Sequence, residues 1–136
     1  MITIIAFLKQ KLYSILSEEL EYNVMDNPYD TQERTFPYLL LTLQDTQRER
    51  RKNNNIMNIR FKIDIFSNYN GEKEVLEMEA AIYDAFQQVW DNEYVTNIRE
   101  NAFRIIDDKS TGVNRKHGII TYTFTCGGGI AEDVGQ

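Results

Sequence analysis

One cysteine, Cys126, stands among the 136 residues, so no intrachain disulfide can form and a secreted disulfide scaffold is excluded. The one histidine, His117, is equally short of company. A zinc site or a catalytic triad needs partners, and the chain has no second histidine, no cysteine pair and no glycine-framed serine. A phosphate-binding loop is missing too, because Gly127, Gly128 and Gly129 are not followed by a helix carrying a Lys-Ser/Thr pair. Long apolar runs are absent. Ile4-Ile5-Ala6-Phe7-Leu8 is interrupted by Lys9 and Lys11 and is too short for a signal peptide core. No stretch approaches the roughly 18 apolar residues that a transmembrane helix requires. Basic charge is in deficit: 15 Lys and Arg against 21 Asp and Glu leave a net charge of −6, which repels nucleic acid. Together these absences lead us to expect a protein made in a reducing cytoplasm, not an enzyme, with no cofactor, no metal and no membrane partner.

What is present is enough for one core. At 136 residues and 42% apolar composition, the chain fits a single folded domain. Ile5, Leu8, Leu12, Ile15 and Leu16 recur at helical spacing, predicting a helix over 2–20. Residues 26–36 are polar and read as a loop. Pro37 then opens an apolar strand, Tyr38 to Leu43, at a position where its missing N–H costs no ladder bond. Residues 45–55 read as an exposed hairpin tip. Met57, Ile59, Phe61, Ile63 and Ile65 alternate with Asn58, Arg60, Lys62 and Asp64, the clearest strand in the chain, with its polar face toward water or a neighbouring subunit. Val75, Met78, Ile82, Ala85, Phe86 and Val89 form the stripe of a second helix over about 71–90, opened by Asn70-Gly71 with Glu72 and Glu74 in its first turn. Phe103 and Ile105 lie in a third strand, and Ile120, Tyr122, Phe124 and Cys126 alternate in a fourth. The expected fold is α+β: a mostly antiparallel sheet of about four strands in the order α-β-β-α-β-β, with a long β-hairpin and both helices on one face. Residues 1–126 form the expected domain and 127–136 a flexible C-terminal tail.

Four groups of side chains merit weighing as sites. His117 reads as a turn or strand-edge residue. Cys126, in phase with Tyr122 and Phe124, reads as a core thiol. The carboxylates at Glu18, Glu19 and Glu21, at Glu72, Glu74, Glu77 and Glu79, and at Asp107 and Asp108 read as solvated surface, since acid–base work would need burial to drive their pKa values apart. The run Arg48-Glu49-Arg50-Arg51-Lys52 sets four positive groups against one negative on an acidic protein. It has no interleaved aromatics for base stacking, so docking to a protein partner is the favoured use of Arg48, Arg50, Arg51 and Lys52.

Several stretches together resemble one family. An N-terminal helix leads to Phe36-Pro37-Tyr38 and an apolar strand. The alternating strand runs into Phe66-Ser67-Asn68-Tyr69-Asn70-Gly71-Glu72-Lys73-Glu74. A helix with Ala80, Ala81, Ile82 and Ala85 follows, and Arg104-Ile105-Ile106-Asp107-Asp108 precedes His117-Gly118-Ile119-Ile120-Thr121-Tyr122-Thr123-Phe124. Over about residues 2–126 this pattern is similar to the tail-completion, or tail terminator, proteins that join tail to head in long-tailed bacteriophages. The resemblance implies a virion structural protein that forms a homo-oligomeric ring, a hexamer, at the head-proximal end of the tail tube. Such a ring stops tube polymerisation and meets the head–tail connector protein, and DNA passes through its lumen without specific binding. No role for the stretch 48–55 carries over. The rival readings are a head–tail connector or adaptor ring and, from a different class, a small cytoplasmic enzyme or binding module built around an apolar pocket.

Overall fold

The computed structural model describes residues 2–25, 36–50, 55–69, 71–89, 95–108, 115–127 and 133–134. Thr3 opens the first helix: its side-chain oxygen accepts a hydrogen bond from the Ala6 N–H at 3.2 Å, satisfying one of the orphan donors of the first turn. The helix, α1 (Ile4–Ser14), continues as a π-helical segment over Ile15–Glu19. Ile4, Leu8, Leu12, Ile15 and Leu16 are the buried positions of this stretch; Leu8, Leu12 and Leu16 follow Ile4 at steps of four, and Ile15 lies three past Leu12. Glu21, at φ 60°, takes the left-handed position that ends the helical stretch, and the Tyr22 N–H reaches back to the Leu16 carbonyl at 3.0 Å.

The chain then enters the sheet. Strands β2 (Asn23–Met25), β3 (Tyr38–Arg50), β4 (Asn55–Ser67), β5 (Val95–Asp108) and β6 (Arg115–Cys126) assemble in the order β2-β3-β4-β6-β5. The expected mostly antiparallel sheet of about four strands, in the order α-β-β-α-β-β, is therefore corrected. The sheet has five strands and is mixed, because β2 runs parallel to the start of β3, with Asn23 opposite Tyr38 and Met25 opposite Leu40. A separate two-stranded pair joins β1 (Ile2–Thr3) to β7 (Asp133–Val134). β2 escapes sequence reading because three half-exposed residues carry no usable periodicity.

Two further boundaries move. The stretch expected as a hairpin tip over 45–55 is strand at both ends: pairing continues to Arg50 opposite Asn55, past an irregularity between Leu43 and Asp45, and residues 51–54 lie outside the described residues. The strand that includes Phe103 begins at Val95, and irregularities at Val95/Asn97 and Glu100/Ala102 break the alternation that would have revealed it.

The core lies between the helices and one face of the sheet. Register sets Leu39 opposite Ile65, Leu41 opposite Ile63, Ile63 opposite Ile120 and Phe61 opposite Tyr122, so these side chains share a face. The second helix, α2 (Lys73–Val89), adds Val75, Met78, Ile82 and Phe86 to the same cluster as α1. Ser67 ties the end of β4 to the first turn of α2 by donating to Glu74 Oε1 at 2.5 Å and accepting from the Tyr69 N–H. The opposite face of the sheet, carrying Asn58, Arg60, Lys62, Thr121, Thr123 and Thr125, has no helix over it among the described residues.

Candidate functional site

The uncovered sheet face divides into a polar half and an aromatic half. In the polar half, Asp45, Asn58, Arg60, Asn97, Arg99, Asn101 and Thr123 line a groove of about 430 Å³. Arg60 donates to both carboxylate oxygens of Asp45 at 3.1 Å, the two-pronged geometry that holds a guanidinium in one orientation. Asn101 donates to Thr123 Oγ1 at 2.6 Å and accepts from Arg99 Nε at 3.0 Å. These contacts leave a groove already furnished with amide and hydroxyl groups, one ion pair and the Arg99 guanidinium, which suits a polar protein surface better than an apolar ligand.

In the aromatic half, Tyr38 stacks on Phe66 with ring centroids 4.7 Å apart, and Phe66 stacks on His117 at 4.3 Å. The Arg115 guanidinium lies 4.6 Å over the Phe36 ring. Two residues before Phe66, on the same face of β4, is Asp64, only 3% exposed. Its Oδ1 is 2.7 Å from His117 Nε2 and its Oδ2 is 3.6 Å from Lys62 Nζ. Sequence reading set Asp64 on a face toward water or a neighbouring subunit and His117 at a turn or strand edge; Asp64 is instead buried within the chain itself, and the placement of His117 is corrected. β6 lies between β4 and β5, so His117 is interior to the sheet, opposite Phe66 on one side and Ile106 on the other. Nothing local in the sequence signals the pair, because Asp64 and His117 meet only through the register of β4 against β6. The pair is a poor catalytic dyad as it stands. Among the described residues no hydroxyl or thiol hydrogen-bonds to the other ring nitrogen, and no group of three His, Cys, Asp or Glu side chains is placed to hold a metal.

The basic run is only partly visible. Arg48 and Arg50 are exposed on β3, opposite Met57 and Asn55, and so share a face; Arg51 and Lys52 lie outside the described residues. Cys126 is buried among the core side chains, and burial pushes its thiol up to about 11, where it stays protonated and unreactive at neutral pH.

One carboxylate that the sequence analysis does not single out is perturbed. Glu100 of β5 lies on the core side, opposite Tyr122. Burial first, then a hydrogen bond and charge repulsion from Glu79, push its carboxyl up to about 7. Glu100 Oε1 and the Tyr122 hydroxyl are both buried without a hydrogen-bond partner. A carboxyl that titrates near 4.5 in the unfolded chain and near 7 in the fold holds its proton longer when native. Stability is therefore full below the lower value and falls as pH rises through that window. Thermal melts should show a lower midpoint at pH 8 than at pH 5, and Glu100→Gln should raise the pH 8 midpoint and flatten the profile. An unchanged slope in the variant would assign the pH dependence elsewhere.

No helix among the described residues is long and apolar enough to cross a membrane. Neither protein-family models nor curated proteins match the chain.

Proposed function

We propose that the chain is a tail terminator subunit: a structural protein that rings the head-proximal end of a bacteriophage tail tube, halts tube growth and presents the surface that joins the head. The observation that carries this reading is the one-sided architecture. Two helices bury one face of the sheet, while the other, with Arg60, Arg99, Thr121 and Thr123, is left to meet a neighbour. A fold with two unlike outer surfaces suits head-to-tail contact between copies, and such contact closes into a ring when its rotation divides a full turn. The local sequence pattern over residues 2–126 supports the same reading. The net charge of −6 would keep passing DNA from adhering.

Capping works by occupancy. The ring binds the last tube ring and takes the surface the next would need. Deleting the chain's gene from its phage should yield tails of uncontrolled length without heads, seen by negative-stain electron microscopy. Tails of normal length joined to heads would overturn the reading. Within it, Arg48, Arg50, Arg51 and Lys52 are assigned to contacts between the ring and its axial partners. Changing all four to serine should lower the yield of joined particles at least tenfold, since a positive cluster facing an acidic partner surface sets both encounter rate and register. Undiminished yield would remove those residues from the interface.

A further inference from the structure

The outer surface of α2 does not look like that of a helix facing only water. Lys73, Leu76, Glu77, Ala80, Tyr83, Asp84 and Gln87 are its exposed positions and fall at steps of three and four, so they form one stripe. Leu76 is 48% exposed and Tyr83 43%, seven residues apart on that stripe. Glu77 and Asp84 flank them. Lys73 lies 4.0 Å from Glu77, and Asp84 has no ion-pair partner among the described residues. The surface is apolar along its centre and acidic at its margin.

The uncovered sheet face offers the complement along β5. Arg99, Ala102, Arg104 and Ile106 are exposed there, opposite Thr123, Thr121, Ile119 and His117, so they point away from the helices. Ile106 is 41% exposed. Neither Arg99 nor Arg104 has an ion-pair partner among the described residues. This surface is apolar with basic margins.

The two surfaces cannot meet within one molecule, because α2 lies on the covered side of the sheet and Arg99 and Arg104 lie on the other. Their charges can be matched only between copies. We infer that the Leu76–Tyr83 stripe of α2 in one copy docks on the Arg99–Arg104 side of the sheet in the next. The occupant of the open face is thus a second copy of this chain. This contact joins two different patches, so each copy keeps one of each free and addition continues until a ring closes. It rests on the ring reading above and supplies its lateral interface. Opposite charge at the margins would set register, and Leu76, Tyr83 and Ile106 would supply buried apolar area at the centre.

Charge reversal tests the contact. One variant carries Glu77→Arg and Asp84→Arg, the other Arg99→Glu and Arg104→Glu. All four sites are exposed, so thermal melts should stay close to the parent. In sedimentation velocity each variant alone should self-associate about a hundredfold more weakly, because like charges now face each other. An equimolar mixture should recover the parent's assembly, since the reversed helix of one matches the reversed sheet of the other. A folding defect could not produce that recovery. If the parent forms rings and neither reversal weakens them, or if mixing restores nothing, the interface lies elsewhere while the capping reading stands. If the parent stays monomeric at every concentration, the interface is overturned, and the gene deletion then decides whether the capping reading falls with it.

Discussion

Valine at Gly118 is expected to strip about 3–5 kcal/mol from the folding free energy, a large share of the roughly 5–15 kcal/mol typical of a domain. Gly118 sits on the core face of β6, opposite Ile65 on one side and Ile105 on the other. A Cβ built there would stand 2.5 Å from Val75 Cγ1, with Phe103 Cε1 at 3.4 Å and Ile65 Cβ at 3.5 Å. Two effects compete. A strand glycine carries an entropic cost of roughly 0.5–1 kcal/mol relative to alanine, so in open space alanine would stabilise. Here the contact decides the sign. Val75 is fully buried, and its branched Cβ leaves the methyl no free rotamer to move into. Overpacking of this kind costs about 1–3 kcal/mol for one added carbon, and valine adds two more. Urea denaturation should therefore rank the parent above Gly118→Ala and that above Gly118→Val. Val75→Ala should recover part of the loss in the Gly118→Ala background while destabilising the parent, a positive coupling between two touching residues. Alanine at 118 within 0.5 kcal/mol of the parent would show that α2 is free to shift and is not seated on the glycine.

The elements that sequence reading finds are those whose burial is set by their own period. Met57 to Ile65 alternate without interruption, and all five apolar members are buried. The stripes Leu8, Leu12, Ile15, Leu16 and Val75, Met78, Ile82, Phe86 are buried in the same way. Where pairing, not burial, holds a strand, the composition misleads. Gln47, Arg48, Glu49 and Arg50 are all exposed, yet they are paired to Asn58, Met57, Ile56 and Asn55 by backbone ladder bonds that any side chain permits. β5 hides for another reason. Each irregularity inserts a residue that is skipped in the register, so Val95, Ile98 and Phe103 face the core at uneven spacing. β2 depends on a partner reached only after the chain returns at Tyr38, and nothing local announces a parallel pairing three residues long.

The candidate site was less legible than the fold for a related reason. Its parts are joined by register across the sheet. Asp64 and His117 are separated by 53 positions and meet because Phe66 is opposite His117. The basic run stood out as a local charge excess, and charge excess is what composition can report. Arg99 and Arg104, by contrast, are separated in sequence by Ala102 and an irregularity. They become a patch only once β5 is laid against β6. Leu76 and Tyr83 read as unremarkable helix positions until the buried stripe is known and they are found outside it.

Phe86→Ala is expected to cost about 3–5 kcal/mol, the usual penalty for emptying a fully buried phenylalanine site. Phe86 is the other anchor of α2. Its ring meets Tyr122 edge to face at 5.0 Å and Phe124 at 6.0 Å, and Phe124 in turn meets Phe61 at 6.0 Å. Val75 and Phe86 are eleven residues apart, roughly 16 Å along a helix axis, so the two contacts fix the tilt of α2 and not only its attachment. Loss of the aromatic anchor should therefore do two separable things. It should lower the denaturation midpoint, and it should let the outer stripe of α2 swing relative to the sheet. Phe86→Leu keeps most of the volume and should cost under about 1.5 kcal/mol. If the tilt of α2 governs contact between copies, the leucine variant should keep self-association within a few-fold of the parent. The alanine variant should lose it even at temperatures where it remains folded by circular dichroism. Equal self-association by the folded alanine variant would mean that the position of α2 does not matter to assembly, and would count against the helix as the docking element.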